Sequence, residues 1–88
     1  MSPEQFVAQL GVEGFVEVVT VERAAAGGLD DHAHPFEAKA LILDGEITLQ
    51  VAGEVTVYRA GQIFHLPAGM PHAEAYGPAG VRYLVGRK

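Results

Sequence analysis

Residues 46–66 read EITLQVAGEVTVYRAGQIFHL, three short segments separated by two Ala-Gly pairs. Apolar and polar residues alternate along Glu46–Val51, and Glu54–Arg59 repeats the alternation. A period of two is typical of a strand with one buried face, because successive side chains of a strand point to opposite sides. Ala-Gly pairs between such segments are typical of tight turns. This stretch therefore predicts three consecutive strands, the last over Ile63–Leu66.

The segments on both sides of this stretch also predict short strands separated by turns. Residues 15–23 are rich in Val and Thr, residues 24–31 read as a loop, and residues 32–43 read as extended with a break at Pro35. Asp44-Gly45 predicts a two-residue hairpin turn. Residues 77–80 predict the last turn, between strands over 72–76 and 81–85. About seven or eight short strands with turns roughly every 8–12 residues predict an all-β antiparallel sandwich or barrel.

A short helix is predicted in front of the strands, over residues 2–10. Ser2 and Gln5 fit a capping box, and Pro3 suits the first helical position. Gly11 stands where a helix commonly ends. The apolar stripe of this helix consists of Phe6, Val7 and Leu10. We expect one domain over residues 1–88, with the barrel spanning about residues 15–87.

Composition excludes several classes of protein. The chain has 88 residues, 19% of them charged, and a net charge of −5, so neither a disordered chain nor a nucleic-acid partner is expected. No apolar run approaches the roughly 20 residues of a membrane span. The sequence has no cysteine, which excludes thiolate catalysis and thiolate metal sites. Without a recognisable signal peptide, a cytoplasmic location is the default expectation.

Three histidines suggest a metal site. His32 and His34 are two residues apart, and on a strand they would share a face about 6.5–7 Å apart. Two imidazoles at that separation can converge on one metal ion. His72 lies on a different predicted strand and can supply a third nitrogen. The alternative for the pair alone is a chance arrangement on an exposed edge.

The surroundings of these histidines resemble the two motifs of the cupin superfamily. Residues 27–45 read GGLDDHAHPFEAKALILDG, and residues 61–72 read GQIFHLPAGMPH. The second motif matches without a slip at Gly61, Pro67, Gly69 and His72. The resemblance implies a double-stranded β-helix, or jelly-roll barrel, and often a homodimer. It also implies a three-histidine centre at His32, His34 and His72 for Fe, Ni, Zn, Mn or Cu.

The first motif departs from the family pattern. Ala38 stands where the family has a metal-ligating Glu, and Glu37 is one position early. Position 38 shares the face of His32 and His34, whereas Glu37 would point to the opposite side. A bulge at Pro35 that resets this phase would allow Glu37 to ligate. Otherwise Glu37 is an exposed carboxylate.

Two further residues are candidates for catalysis. Glu74 and Tyr76 share a face with His72. Glu74 is a fourth ligand, a base or a hydrogen-bond acceptor for a ligating imidazole, unless its strand is an exposed edge. Tyr76 is a pocket hydroxyl or a core aromatic. The fourth histidine, His65, is out of phase and is expected to face outward.

The inward faces of the strands predict a core made of Ile42, Ile47, Leu49, Phe64, Leu66 and Val85. Lys39, Leu41 and Leu43 are expected on the outward face, where the leucines need a cover. That cover is either the N-terminal helix or a second subunit. For Arg59 and Arg82 a surface location is favoured over a carboxylate-binding role.

The resemblance implies a small metal-binding cupin. We expect an enzyme of a dioxygenase-like or isomerase-like kind that acts on a small polar organic molecule. The alternative is a non-catalytic cupin that binds or senses a small ligand in the same pocket. The sequence contains nothing that identifies the substrate, because fold alone does not determine function.

Overall fold

The chain forms one helix and six strands, and the computed structural model describes all residues from Met1 to Lys88. The elements are α1 (Pro3–Val12), β1 (Glu17–Arg23), β2 (Gly28–His32), β3 (Ala38–Val51), β4 (Glu54–Arg59), β5 (Ile63–Leu66) and β6 (His72–Arg87). The prediction of an all-β fold with a short N-terminal helix is confirmed. The strands number six rather than seven or eight, because β3 and β6 each continue through a predicted turn. Part of the predicted loop at 24–31 belongs to β2.

The two longest strands, β3 and β6, pair antiparallel with each other along their lengths and hold the other four. The first half of β3 also pairs with β5, and its second half pairs with β4. The first half of β6 also pairs with β2, and its second half pairs with β1. Each short strand therefore extends one half of a long strand, and both halves surround the same apolar core.

The hairpin predicted at Asp44-Gly45 is wrong, because β3 bends there without reversing. Gly45 pairs with Val81 and Ile47 pairs with Tyr76, so residues 77–80 bulge out of β6. Gly45 has φ +73°, and a Cβ at this position would lie 2.1 Å from the carbonyl oxygen of Gly80. Because Gly45 has a positive φ and no Cβ, β3 bends here while it stays paired with β6 on both sides of the bend. The turn predicted at 77–80 is wrong for the same reason.

The predicted turn at Ala52-Gly53 is confirmed. Both residues have positive φ, 51° and 82°, and they connect paired strands, with Val51 opposite Glu54. Two consecutive residues at positive φ form the type I′ turn that matches the twist of a β-hairpin. The boundaries of β4 and β5 are those predicted.

The core of the barrel contains every residue predicted for it. Twelve buried residues form one cluster, to which each of β1, β3, β5 and β6 contributes. The predicted members, all buried, are Ile42, Ile47, Leu49, Phe64, Leu66 and Val85.

Helix α1 covers the outer face of the barrel. Phe6 and Leu10 are fully buried and form a second cluster with Phe15 and Leu41. Helix α1 of the same chain therefore covers Leu41. The homodimer stays a prediction, because Leu41 does not need a second subunit to cover it. The Nζ atom of Lys39 and a carboxylate oxygen of Glu13 lie 2.7 Å apart and join the end of the helix to β3.

The ends and faces of α1 differ in part from the prediction. The capping box of Ser2 and Gln5 is present. Gly11 does not end the helix, which continues to Val12 and is followed by Gly14 at φ +89°. Val7 is 41% exposed and lies outside the buried stripe. The apolar contact of α1 therefore depends on two side chains.

We predict that Gly45→Ala destabilises the protein far more than Gly61→Ala. Both glycines have positive φ, but an added Cβ at Gly61 meets nothing within 4 Å. Gly61→Ala carries only the left-handed backbone cost of about 1–2 kcal/mol. Gly45→Ala adds a clash with backbone that cannot move aside, for a total of about 4 kcal/mol or more. Urea unfolding of both variants measures the difference, and equal losses would show that the close approach is unimportant.

We predict that Leu10→Ala lowers the free energy of unfolding by about 2–5 kcal/mol, since it removes half of the buried contact of α1. Val7→Ala is the matched control on the exposed side of the same helix. It should leave stability unchanged or raise it slightly, because Ala has the higher helix propensity. Thermal unfolding followed by circular dichroism compares the two variants. Similar losses from both would contradict the docking of α1 through Leu10.

Candidate metal centre

Two of the candidate histidines face each other across a pair of strands. His32 ends β2, His72 begins β6, and the two are register partners. Their ring centroids are 4.2 Å apart. His32 is half-buried, and His72 is 1% exposed. The antiparallel pairing of β2 with β6 thus brings together two histidines that are 40 positions apart in sequence.

His34 reaches the same place by a different route from the one predicted. It lies in the connection between β2 and β3, so it does not share a strand with His32. Its carbonyl oxygen accepts a hydrogen bond of 2.8 Å from the backbone N–H of Gly69. Its ring stacks on Phe36 with centroids 4.8 Å apart, and lies 5.3 Å from the ring of His72. A loop held at both of these points positions the third imidazole.

Glu74 completes the group. It follows His72 by two residues on β6, and one of its carboxylate oxygens lies 3.2 Å from Nε2 of both His32 and His72. One ligand atom from each of His32, His34, His72 and Glu74 lies within 4.8 Å of the others. The structure thus brings together the three histidines proposed as ligands and one of the two proposed catalytic residues.

Backbone carbonyls determine which ring nitrogens carry the protons. Nδ1 of His32 is 2.8 Å from the carbonyl oxygen of Asp30, and Nδ1 of His72 is 3.1 Å from that of Met70. A carbonyl oxygen can only accept, so Nδ1 donates in both rings. In a neutral imidazole, Nε2 then presents a lone pair. Burial, followed by the charges of His32 and His72, lowers the pKa of His34 and favours its neutral form.

These lone pairs fit a metal ion. In their neutral forms, His32 and His72 would point Nε2 lone pairs at a carboxylate oxygen of Glu74, an arrangement that is repulsive unless a proton or a metal cation lies between them. Nε2 of His32 is buried and has no hydrogen-bond partner. Such a group is costly unless something satisfies it. Three imidazole nitrogens and one carboxylate suit a divalent transition-metal ion, and they do not by themselves select among Fe, Ni, Zn, Mn and Cu.

Tyr76 lies behind Glu74 and does not line the pocket in front of the histidines. It is buried, and its hydroxyl donates a hydrogen bond of 3.0 Å to Oε1 of Glu74. Burial, followed by the negative charge of Glu74, raises the pKa of Tyr76 and keeps the hydroxyl protonated. The two carboxylate oxygens of Glu74 therefore have different partners: Oε2 faces the imidazoles, and Oε1 faces Tyr76.

Glu37 is not part of the group. Its carboxylate pairs with the exposed His65 and lies 3.8 Å from Nζ of Lys88. Ala38 points inward instead and lines the pocket. A bulge at Pro35 therefore does not turn Glu37 inward. Glu74 is the carboxylate that lies with the histidines.

A pocket opens in front of the four residues, with a volume of about 70 Å³. Most of its wall is apolar, including Leu29, Phe64 and Leu66. Two arginines also line it, Arg23 and Arg87. Sequence reasoning missed both and considered Arg59 and Arg82 instead. The signal that identifies Arg87 is strand parity, since it lies two and four residues after the inward residues Val85 and Tyr83 on β6 and therefore shares their face.

Comparison with known families supports the assignment of the fold. Residues 17–85 match the family described as "Cupin domain". The chain therefore belongs to the cupin family. Among curated proteins, none matches the sequence. The single helix, α1, is not long and apolar enough to cross a membrane.

Several solved structures share the fold over about four fifths of the chain. The cupin domain of Schizosaccharomyces pombe Cnp3 is 19% identical, with a TM-score of 0.72, over 80% of this chain and 53% of that one. A cupin described as RmlC-like, from Shewanella frigidimarina, is 21% identical, with a TM-score of 0.68, over 80% and 63%. The DMSP lyase DddQ from Ruegeria pomeroyi is 26% identical, with a TM-score of 0.73, over 81% and 36%. The chain thus spans between about one third and two thirds of these proteins.

We predict that the protein binds one equivalent of Zn²⁺ or Ni²⁺. His34→Ala should weaken this binding by about 10–100-fold or more, because loss of a residue that only orients a metal ligand already weakens binding by that factor. His34 is the residue to change because its half-buried loop position makes the variant tolerable to the fold. His65→Ala is the control and should bind metal normally. Calorimetric titration with elemental analysis measures both. Full-strength binding by His34→Ala would contradict the assignment.

Proposed function

We propose that this protein is a metal-dependent enzyme that acts on a small polar organic molecule at a centre in which His32, His34 and His72 hold the metal and Glu74 lies beside them. The proposal rests on one observation above all. One nitrogen from each of the three imidazoles and one carboxylate oxygen lie within 4.8 Å of one another at the wall of an accessible pocket, and Nε2 of His32 is buried there without a hydrogen-bond partner. Three imidazole ligands at a pocket wall leave a position on the ion open to a second molecule, as catalytic metal sites require.

The ion supplies Lewis-acid chemistry when bound, since a divalent transition metal polarises an oxygen atom of a substrate. The chain provides a pocket of about 70 Å³, which admits only a few non-hydrogen atoms beside the ligands. Its apolar walls exclude water from the substrate and strengthen every electrostatic interaction within. A small molecule with polar ends fits such a pocket.

Glu74 is the residue proposed to move a proton. It lines the pocket, and its carboxylate is 9% exposed, so it can contact a substrate without being fully solvated. A carboxylate in such a position serves as a general base or acid. Tyr76 is proposed to take part through Glu74, since its hydroxyl donates to Oε1 and keeps Oε2 turned toward the pocket. In this role Tyr76 is a positioning residue.

This pair favours an isomerase-like reaction over a dioxygenase-like one. An isomerisation depends on moving a proton between neighbouring atoms, and the Glu74–Tyr76 pair provides a place to hold that proton. Catalysis on a related scaffold also supports the enzyme proposal, because one 26% identical structure is described as a DMSP lyase. A cytoplasmic location and a small-molecule partner are proposed with it.

We predict that the metal-loaded protein exchanges carbon-bound protons of small hydroxy- or ketocarbonyl compounds with D₂O, as detected by ¹H NMR. Glu74→Gln should slow the exchange by about 10²–10⁴-fold, which is the usual contribution of a general base. Tyr76→Phe should slow it less, because Glu74 remains in place. Metal content is measured for each variant, so a lost metal is not mistaken for a lost base.

The opposite outcome defines the alternative. Thermal stabilisation of the metal-loaded protein by one of these compounds, with no exchange or turnover under any of the five metals, would contradict the enzyme proposal. The protein would then be a ligand-binding or sensing cupin. A Glu74→Gln variant that keeps its metal and its full exchange rate would contradict the role of Glu74.

A further inference from the structure

A second polar region lies in the same pocket, away from the metal-binding group. Arg87 is near the end of β6, where it shares the inward face of the strand with Tyr83 and Val85. Its guanidinium group lies over the ring of Phe36 at 5.0 Å, and that ring in turn stacks on His34. This stack places a permanent positive charge beside the candidate metal centre.

Arg87 has a donor that nothing in the protein satisfies. Nη1 donates to a carboxylate oxygen of Glu17 at 3.2 Å, on the exposed side of the strands. Nε is buried and has no hydrogen-bond partner. An unsatisfied buried donor on a charged group costs more than a neutral one, so native proteins usually provide a partner. A ligand in the pocket can provide that acceptor.

The charge of the pocket runs against the charge of the chain. The protein has 11 acidic and 6 basic side chains, yet the pocket is lined by Arg23 and Arg87 and by only one acid, Glu74. Glu17 partly offsets Arg87 from outside the pocket. A basic pocket in an acidic protein attracts and orients anions.

Tyr83 adds a neutral donor to the same wall. Burial raises the pKa of Tyr83 to about 12, with a smaller contribution from Glu74. Its hydroxyl therefore stays protonated and can donate a hydrogen bond to an anion beside Arg87.

We propose that the substrate is a small carboxylate, bound through its carboxylate group to Nε of Arg87, with Arg23 and Tyr83 contributing, while its other polar end faces the metal centre. The planar guanidinium of arginine matches a carboxylate in shape and charge. The volume of about 70 Å³ favours a compact planar carboxylate over a bulkier tetrahedral phosphate ester. This assignment of the carboxylate to one end of a substrate rests on the proposed function.

The probe is glycolate, and its uncharged isostere glycolamide is the reference. We expect metal-free and Zn²⁺-loaded protein to prefer glycolate by about 10–100-fold, the range for one charge-assisted hydrogen bond. Glycolate should also shift the Nε–Hε resonance of Arg87 in ¹H–¹⁵N spectra. The resonance is assigned by its loss in Arg87→Gln, which should also abolish the preference.

Matched variants separate recognition from general effects. Arg82→Gln removes an exposed arginine from the same strand and should keep the preference. Glu17→Gln removes the competing external carboxylate and should keep or strengthen it. A preference that survives Arg87→Gln, or tighter binding of inorganic phosphate than of glycolate, would overturn the carboxylate assignment.

The two proposals fail in different ways. Glycolate selectivity that depends on Arg87 in a protein unable to bind metal would sink the metal enzyme and leave the carboxylate subsite standing. Metal binding without any preference for glycolate would contradict the carboxylate subsite and leave the metal enzyme standing.

Discussion

The approach of Gly45 to the carbonyl oxygen of Gly80 is the contact on which the rest of the structure depends. It lets β3 and β6 bend together while they stay paired on both sides of the bend. Because of that bend, one strand contributes His72 and Glu74 from its first half and Arg87 from its second half to a single pocket. A flat β6 would separate these residues along a strand of 16 residues, about 50 Å in length.

The site combines two unsatisfied groups of opposite kind. In its neutral form, His32 presents Nε2 as a buried acceptor without a donor, and Nε of Arg87 is a buried donor without an acceptor. Native interiors leave few such groups unpaired, because each one loses its hydration without compensation. A cation can pair with Nε2 of His32, and an anion can pair with Nε of Arg87. The pocket as a whole is therefore suited to a metal ion and a carboxylate side by side.

A chain of 88 residues is too short to form a separate layer of structure whose only role is to support the barrel. Here α1 covers the outer face of β3 with Phe6 and Leu10, and the pair of Glu13 and Lys39 holds its end. The inner face of the same strand provides the barrel core and Ala38, a small residue that leaves room beside the histidines. One strand thus supports the helix on one side and borders the pocket on the other.

Sequence alone was sufficient for the local features. The capping box, the Ala52-Gly53 turn, β4, β5 and the predicted core all follow from periodicity and turn chemistry, which act over a few neighbouring residues. The histidines could be singled out because their spacing is readable along the chain. The turn signals at 44–45 and 77–80 were misread, since glycine at positive φ suits a bend and a reversal equally, and only the pairing of β3 with β6 distinguishes them.

Tertiary structure decided which carboxylate lies with the histidines, that His34 reaches them from a loop, and that Arg87 shares their pocket. Each of these depends on contacts between residues far apart in sequence, where a shift of one residue in register turns a side chain to the opposite face. Residue types and local spacing were therefore legible in the sequence. The combination of residues that share one pocket was determined by how the two long strands bend around it.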